Sequence, residues 1–282
     1  MPDSKWLEIT DSVQRACGVI LQKRIFRPSV AVVLGSGLGD LADEVQHAES
    51  VHYSEIPGFP VTHAVGHAGR LILGYINGVP VVLMQGRCHR YEGRTPNEIQ
   101  FPIRVLRALG VETFIATNAA GGLNPLFQVG DLMIIDSHID MLWLRGQPPG
   151  SATTEEPHFG RISPYCPGLM RKARAFALKE GFAIHQGCYL GTLGPTYETR
   201  SEYRFFRWVG ADAVGMSTVS EVQLARALGM RVLAFSVITN VASTDVPAAI
   251  SHDEVVRYGK SAGPRLLKIV RQVLEEISGQ PD

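Results

Sequence analysis

Residues 31–39 read AVVLGSGLG, a run of apolar residues followed at once by a turn of small ones. The apolar run, which extends over 29–34, does not alternate with polar residues, and this is typical of a strand covered on both faces. Six more short runs share this β-branched, apolar character and predict further strands: 70–76, 79–84, 111–117, 132–135, 189–193 and 232–238. The sequence therefore predicts a sheet buried between two other layers.

Helix signatures lie between these runs. Residues 95–98 read TPNE, in which the threonine suits the N-cap, the proline suits the first helical position and the glutamate reaches back to the cap. Residues 218–221 (TVSE) form a second capping box, a third helix begins near Thr199, and a long last helix begins at about His252.

Strands that alternate with helices predict the α/β class. We expect a single domain over 1–282, with a central mixed, largely parallel twisted β-sheet flanked by helices. In folds of this kind ligands bind at the carboxyl ends of the strands.

The bulk properties narrow the class of partner. Lys plus Arg and Asp plus Glu both number 27, so the formal net charge is zero and no field favours nucleic acid or an anionic membrane. The four cysteines are scattered without a C-x-x-C pair, which is typical of a reduced intracellular protein. The sequence shows no signal-peptide pattern and no apolar run near the roughly twenty residues of a membrane span. We therefore expect a cytoplasmic protein, with one long functional or mobile loop at 145–167.

Two predicted strand ends carry groups suited to an anion. The small residues of 35–39 let backbone N–H groups approach a ligand, although a dinucleotide-binding fingerprint is disfavoured because Asp40 stands where it needs glycine. Arg87, His89 and Tyr91 occupy alternate positions after the predicted strand 79–84. In an extended chain these three side chains leave the same face, where arginine offers a fork for an oxyanion and histidine a second donor. The alternatives are a tight turn without a ligand and a solvated polar strand end.

A metal site is not expected. His63 and His67 are four residues apart, as in a helical metal pair. However, Pro60, Gly66 and Gly69 argue against a helix there, and no third ligand is obvious.

Four further segments expose polar or small residues after buried runs: 118–122 (NAAGG), 194–199 (GPTYET), 214–218 (VGMST) and 238–240 (ITN). Each also has an ordinary explanation as a turn or a cap. Glu198, for example, is favourably placed near a helix N-terminus.

Taken in order and spacing, these segments closely resemble the trimeric, low-molecular-mass purine nucleoside phosphorylases, in a bacterial-type form. The matching motifs are GSGLG at 35–39, GHAG at 66–69, GRCHRYEG at 86–93, TNAAGG at 117–122, GPTYET at 194–199 and VGMS at 214–217. The resemblance runs over nearly the whole chain, from Gly35 to 251–255. It implies the nucleoside phosphorylase fold, a homotrimer, and phosphorolysis of inosine, guanosine and their deoxy forms in purine salvage, with inorganic phosphate as co-substrate and no cofactor.

The resemblance also assigns residues to three parts of a site. Phosphate would be held by Ser36, His67, Arg87, His89, the backbone N–H of Ala119, and Ser217. Ribose would be lined by Tyr91, Met216, His252 and, from a neighbouring subunit, Phe159. The base would contact Tyr197, Glu198, Val214 and Asn240. His89, Glu198 and Asn240 would carry the catalysis.

Two segments depart from the family pattern. The stretch 240–252 is shorter than in mammalian members and resembles bacterial ones. The loop around Phe159 also diverges.

The implied chemistry suits these residues. Cleavage of the ribose–purine bond builds positive charge on the sugar, as in glycoside hydrolysis, and leaves negative charge on the purine. Phosphate is the nucleophile. Asn240 would donate to N7 as charge accumulates there, and Glu198 would accept from N1–H of a 6-oxopurine.

Other functions remain as alternatives. Methylthioadenosine phosphorylases resemble this chain at the phosphate motifs, but they carry aspartate at the position of Asn240 and lack Glu198. Xanthosine phosphorylase activity is a close variant that stays open. From other classes, a nucleotide- or NAD-binding protein would use 35–39 as its phosphate loop, and a purine-binding scaffold would be catalytically silent.

Overall fold

The computed structural model describes residues 10–23, 26–64, 66–142, 163–241 and 252–278. Within these residues the chain forms nine strands: β1 Val30–Leu34, β2 Gln46–His52, β3 Arg70–Ile76, β4 Val79–Gln85, β5 Thr113–Gly122, β6 Leu132–Asp140, β7 His185–Gly191, β8 Ala213–Gly215 and β9 Arg231–Val241. The same residues form six α-helices: α1 Asp11–Lys23, α2 Pro96–Ala108, α3 Pro167–Lys179, α4 Arg200–Trp208, α5 Val219–Ala227 and α6 His252–Ser278. None of the helices in this part of the chain combines the length and apolar character that crossing a membrane requires.

The strands form one mixed sheet in the order β2-β3-β4-β1-β5-β8-β7-β6-β9. Strand β9 also pairs with β5, so that β5, β8, β7, β6 and β9 close into a ring from which β1, β4, β3 and β2 extend. Five of the nine pairings are parallel and four are antiparallel. The predicted α/β class with a mixed sheet is therefore confirmed.

Strand β1 shows why its sequence is apolar throughout. Ala31 and Val33 pack into one hydrophobic cluster, to which α1, α2 and α5 contribute, whereas Val32 and Leu34 pack into another, to which α3 and α6 contribute. Successive side chains of a strand point to opposite faces, so both faces of this strand are covered. The sheet is thus sandwiched between helices, as predicted.

The three helix starts predicted from polar caps are all present. In α2 the N-cap Thr95 accepts from the Glu98 N–H at 3.3 Å, and the Glu98 carboxylate accepts from the Thr95 N–H at 2.8 Å. Helix α4 begins after Thr199 with the same pair of bonds to Glu202. Helix α5 begins after Thr218.

Residues 118–122 do not form a turn, which was the alternative explanation for this segment. Strand β5 does not end at Thr117 but continues to Gly122, paired with β9 up to Val241 across a bulge at Ala120 and Gly121. A side chain at Gly122 would lie 2.9 Å from Ile238, so the small residues are required by close packing inside the ring rather than by a turn.

Four elements were not predicted: α1, β2, α3 and β8. Strand β2 is exposed along nearly its whole length, and β8 has only three residues, so neither carries a readable apolar pattern. Helix α3 begins at Pro167, the last residue of the predicted loop 145–167, of which 145–162 lie outside the described residues.

Candidate active site

A cavity of about 430 Å³ opens at the carboxyl ends of β1, β4, β5, β8 and β9. It brings together twelve of the fourteen predicted site residues: Ser36, His67, Arg87, His89, Tyr91, Ala119, Tyr197, Glu198, Val214, Met216, Ser217 and Asn240. Phe159 lies outside the described residues, and His252 is described only as the first residue of α6. Segments far apart in sequence thus meet at one edge of the sheet, as expected for strand ends.

Arg87 is held inside the protein at the base of this cavity, and its side chain is 3% exposed. Its Nη1 donates to Glu221 Oε2 at 2.9 Å and to Thr218 Oγ1 at 3.0 Å, while Nη2 donates to the Thr117 carbonyl. The cation is therefore fixed by a buried carboxylate as well as available to the cavity that it lines.

The route by which Arg87, His89 and Tyr91 reach the cavity differs from the prediction. Strand β4 ends at Gln85, Gly86 adopts φ 101°, and residues 90–92 form a 3₁₀ turn, so the chain is not extended here. A side chain at Gly86 would lie 2.5 Å from His67 Cβ, which explains why a glycine redirects the chain at this point. The expectation of a single strand face is wrong, although all three side chains line the same cavity.

His89 lies between two other rings. Its ring stacks on His67 at a centroid distance of 5.4 Å and on Tyr91 at 4.8 Å. Glu92 Oε1 accepts from the His89 N–H at 2.7 Å and lies 3.1 Å from His89 Nδ1, and Glu92 Oε2 accepts from the His63 N–H at 2.8 Å. Burial acts to raise the pKa of Glu92, but these hydrogen bonds outweigh it and lower the pKa to about 2. Glu92 is therefore an ionised group that orients His89.

His67 is neutral at ordinary pH, because burial and the neighbouring His89 lower its pKa to about 4. His67 Nδ1 lies 2.8 Å from the Arg87 carbonyl oxygen and 3.2 Å from the Arg87 backbone nitrogen. His67 Nε2 lies 3.4 Å from Ser36 Oγ. The His67 ring thus lies between the Arg87 backbone and the serine of the glycine-rich turn.

Glu198 and Asn240 both line the cavity. Thr192 Oγ1 lies 3.3 Å from Glu198 Oε1 and 3.4 Å from the carbonyl oxygen of Gly215. Burial raises the pKa of Glu198, while hydrogen bonds from its own backbone N–H, Thr192 and Tyr203 act in the opposite direction. The cavity wall therefore contains a carboxylate and an amide.

Gly121 makes room for the amide. A Cβ on Gly121 would lie 3.1 Å from Asn240 Nδ2 and 3.4 Å from Val214 Cγ1, so any larger residue would crowd both predicted base contacts. The small residues of β5 thus serve the cavity as well as the ring.

The glycine-rich turn also contacts α6. A Cβ on Gly37, whose φ is 78°, would lie 2.6 Å from the Val256 carbonyl oxygen and 2.9 Å from Gly259 Cα. A Cβ on Gly259 would lie 2.7 Å from the Ser36 carbonyl oxygen. The two backbones are in direct contact, and α6 adds Val255 to the cavity wall.

Sequence reasoning missed several residues of the site. Asn118, Thr239, His63 and Val255 also line the cavity. Glu221 was read only as the last residue of a capping box, and Glu92 lay inside a quoted motif without a role. Glu221 and Glu92 can be recognised as site residues because each has a carboxylate shielded from solvent next to the cavity. This feature is visible only in the folded structure.

Comparisons with known proteins agree with this geometry. The model of the Phosphorylase superfamily matches residues 29–275. Purine nucleoside phosphorylase 1 of Bacillus subtilis is 43% identical over 270 residues, covering 94% of this chain and 98% of the relative. Purine nucleoside phosphorylase of Bos taurus is 45% identical over 260 residues, covering 89% and 90%. Schistosoma mansoni purine nucleoside phosphorylase, solved in complex with adenosine, superposes with a TM-score of 0.85 at 34% identity, covering 96% of this chain and 98% of that one.

The resemblance noted in the sequence is thereby confirmed over most of the chain, in sequence and in fold. The chain belongs to the purine nucleoside phosphorylases of the Phosphorylase superfamily, and it is a pentosyltransferase.

Proposed function

We propose that this enzyme prefers 6-oxopurine nucleosides, cleaving inosine, guanosine and their deoxy forms with inorganic phosphate to the free base and (deoxy)ribose 1-phosphate, in purine salvage. The observation that carries the proposal is that the Glu198 carboxylate and the Asn240 amide line one cavity. Family membership alone does not show which purine base the enzyme prefers, because the schistosome relative was solved with adenosine and also with hypoxanthine.

The hydrogen-bonding pattern of the base favours the 6-oxopurines. Such a base has a donor at N1 and acceptors at O6 and N7, whereas adenine has an acceptor at N1 and a donor at its 6-amino group. An ionised Glu198 therefore pairs with N1–H of the first and faces a lone pair of the second. The Asn240 amide can donate to N7 as negative charge develops there.

The phosphate end of the proposed site consists of Ser36, His67, Arg87, His89, the Ala119 N–H and Ser217, all of which line the cavity. The Arg87 guanidinium binds an oxyanion strongly because its hydrogen bonds are charge-assisted. Tyr91 and Met216 would contact the ribose, and His252 would lie near the 5′-hydroxyl. The bound phosphate supplies the nucleophile and faces the developing oxocarbenium ion, so the proposed reaction calls for no metal or organic cofactor.

Product analysis tests this function. Incubated with inosine, guanosine, adenosine and xanthosine, with and without phosphate, the enzyme should release hypoxanthine and guanine together with ribose 1-phosphate only when phosphate is present. Adenosine should be slower by about 10⁴ or more in kcat/KM, because buried polar groups would be left unpaired. Equal efficiency on adenosine would contradict the base assignment. Free ribose as the main product would identify a hydrolase.

We also propose that the active species is a homotrimer in which Phe159, outside the described residues, closes the ribose side of a neighbouring site. A head-to-tail contact that places one subunit's residue in the next subunit's site closes most simply as a ring of threefold symmetry. Sedimentation at assay concentration should give a trimer, and a fully active monomer would overturn the proposal.

The proposed place of action is the cytoplasm. All four cysteines are free thiols, as expected in a reducing compartment.

A further inference from the structure

A buried ion pair and a strained turn lie directly behind the proposed phosphate site. We propose that Glu221 and Thr218 are positioning residues, which hold the Arg87 guanidinium and direct the Ser217 hydroxyl proton into the cavity as a donor for the anion. This inference rests on the phosphate site proposed above.

The ion pair is almost completely shielded from solvent. The side chains of Arg87 and Glu221 are 3% and 4% exposed, and Arg87 Nη1 lies 2.9 Å from Glu221 Oε2. The same carboxylate oxygen accepts from the Thr218 N–H at 3.1 Å. A carboxylate has no proton to donate when ionised, so Glu221 can only accept, and it fixes the direction of both bonds.

The hydrogen bonds of Thr218 then set those of Ser217. Thr218 Oγ1 accepts from Arg87 Nη1 at 3.0 Å and from Asn118 Nδ2 at 2.9 Å, which uses both of its lone pairs. The remaining proton of Thr218 points to its third neighbour, Ser217 Oγ, at 3.1 Å. Ser217 Oγ therefore acts as an acceptor toward Thr218. Arg87 Nη1 also lies 3.5 Å from Ser217 Oγ, but its two protons go to Glu221 and Thr218 at the shorter distances.

Because Ser217 Oγ accepts from Thr218, its own proton is not used in that bond and remains for a further partner. Ser217 lines the cavity, so this proton is available to a ligand there. A hydroxyl whose proton faces the cavity can donate to an oxyanion.

Comparison of the three capping boxes shows that Glu221 does more than cap a helix. At α2 and α4 the N-cap threonines, Thr95 and Thr199, have φ −71° and donate their hydroxyls to the box glutamate at 2.8 Å. At α5 the N-cap Thr218 has φ 74° and ψ −49°, and Val219 N–H donates to the Ser217 carbonyl at 2.8 Å.

This is a γ-turn of the rare, strained kind, and it is adopted here by a β-branched residue. The turn moves the Thr218 hydroxyl to Arg87, Asn118 and Ser217. The capping-box motif at α5 therefore places its threonine hydroxyl next to residues that line the cavity.

The test compares Glu221→Gln and Thr218→Val with matched controls outside the cavity. Glu98→Gln changes the equivalent glutamate of the α2 box, whose side chain is 42% exposed. Thr113→Val removes a buried hydroxyl of β5 that has no hydrogen-bond partner among the described residues.

We expect Glu221→Gln and Thr218→Val to raise the KM for phosphate by about tenfold or more, with little change in the KM for inosine. Both controls should leave the two KM values unchanged, and Thr218→Ser, which keeps the hydroxyl, should retain the wild-type phosphate KM.

A double-mutant cycle distinguishes positioning from a merely structural role. Thr218→Val should raise the phosphate KM by less in Ser217→Ala than in the wild type, because the part of its effect that passes through Ser217 is already lost there. Fully additive effects, or a Thr218→Val enzyme with wild-type phosphate KM, would overturn the inference while leaving the phosphate site in place. If Ser217→Ala and Arg87→Lys also left the KM for phosphate unchanged, the proposed phosphate site itself would be wrong. If Glu221→Gln fails to fold, the double-mutant cycle of Thr218→Val and Ser217→Ala tests the inference without it.

Discussion

Replacing Asn240 by aspartate should lower kcat/KM for inosine and guanosine by about 10²–10³, the usual cost of one preorganised donor to developing charge. A carboxylate repels O6 of these bases but accepts from the 6-amino group of adenosine, and in its protonated form it still donates to N7. The ratio of adenosine to guanosine efficiency should therefore rise. Steady-state rates on the three nucleosides at saturating phosphate measure both effects.

The control for this exchange is Asn97→Asp. Asn97 is exposed in the first turn of α2, where an added carboxylate is favourable for the helix. This variant should keep the wild-type ratio. If Asn240→Asp also leaves the ratio unmoved, the roles given to Asn240 and Glu198 are wrong.

Replacing Arg87 by methionine should destabilise the fold as well as abolish phosphate use. The change leaves Glu221 buried without its cation, and breaking one side of a buried pair typically costs about 3–5 kcal/mol in the free energy of unfolding. Urea unfolding followed by circular dichroism measures this loss.

The double variant Arg87→Met/Glu221→Met separates the two effects. Replacing both members of a buried ion pair by apolar residues of similar volume is often neutral for stability. We therefore expect the double variant to recover most of the stability of the wild type while its activity stays lost. A single variant as stable as the wild type would show that the carboxylate is not held by Arg87. Recovered activity in the double variant would exclude Arg87 from the phosphate site.

The fold was predictable where buried strands carry apolar residues, as in β1 and β9. It was not predictable at β2, because an exposed strand has no such pattern. The predicted strand end at Thr117 was wrong because small residues mark close packing as well as turns, and only the partner β9 distinguishes the two.

The site was predictable mainly through motifs in a shared order. The cavity is lined by residues from Ser36 to Asn240, which are far apart in the sequence. No pattern within a short segment of the sequence indicates that they come together. The pair of Arg87 and Glu221 joins positions 134 apart in sequence. The capping box at 218–221 was visible from the sequence. The inverted φ of Thr218 was not, because the groups that contact Thr218 come from β5 and from the segment that follows β4.

The contact between Gly37 and Gly259 has a mechanical consequence. Backbone touches backbone there, with no side chain between the glycine-rich turn and α6 to absorb a shift by changing rotamer. A rotation of the first turns of α6 must therefore displace Ser36, and any residue larger than glycine at 259 would push the two apart. The parts of the cavity wall that carry Val255 and Ser36 are thus joined by a direct backbone contact. Enlarging the cavity by moving α6, for instance to admit bulkier sugars, would thus disturb anion binding at the same time.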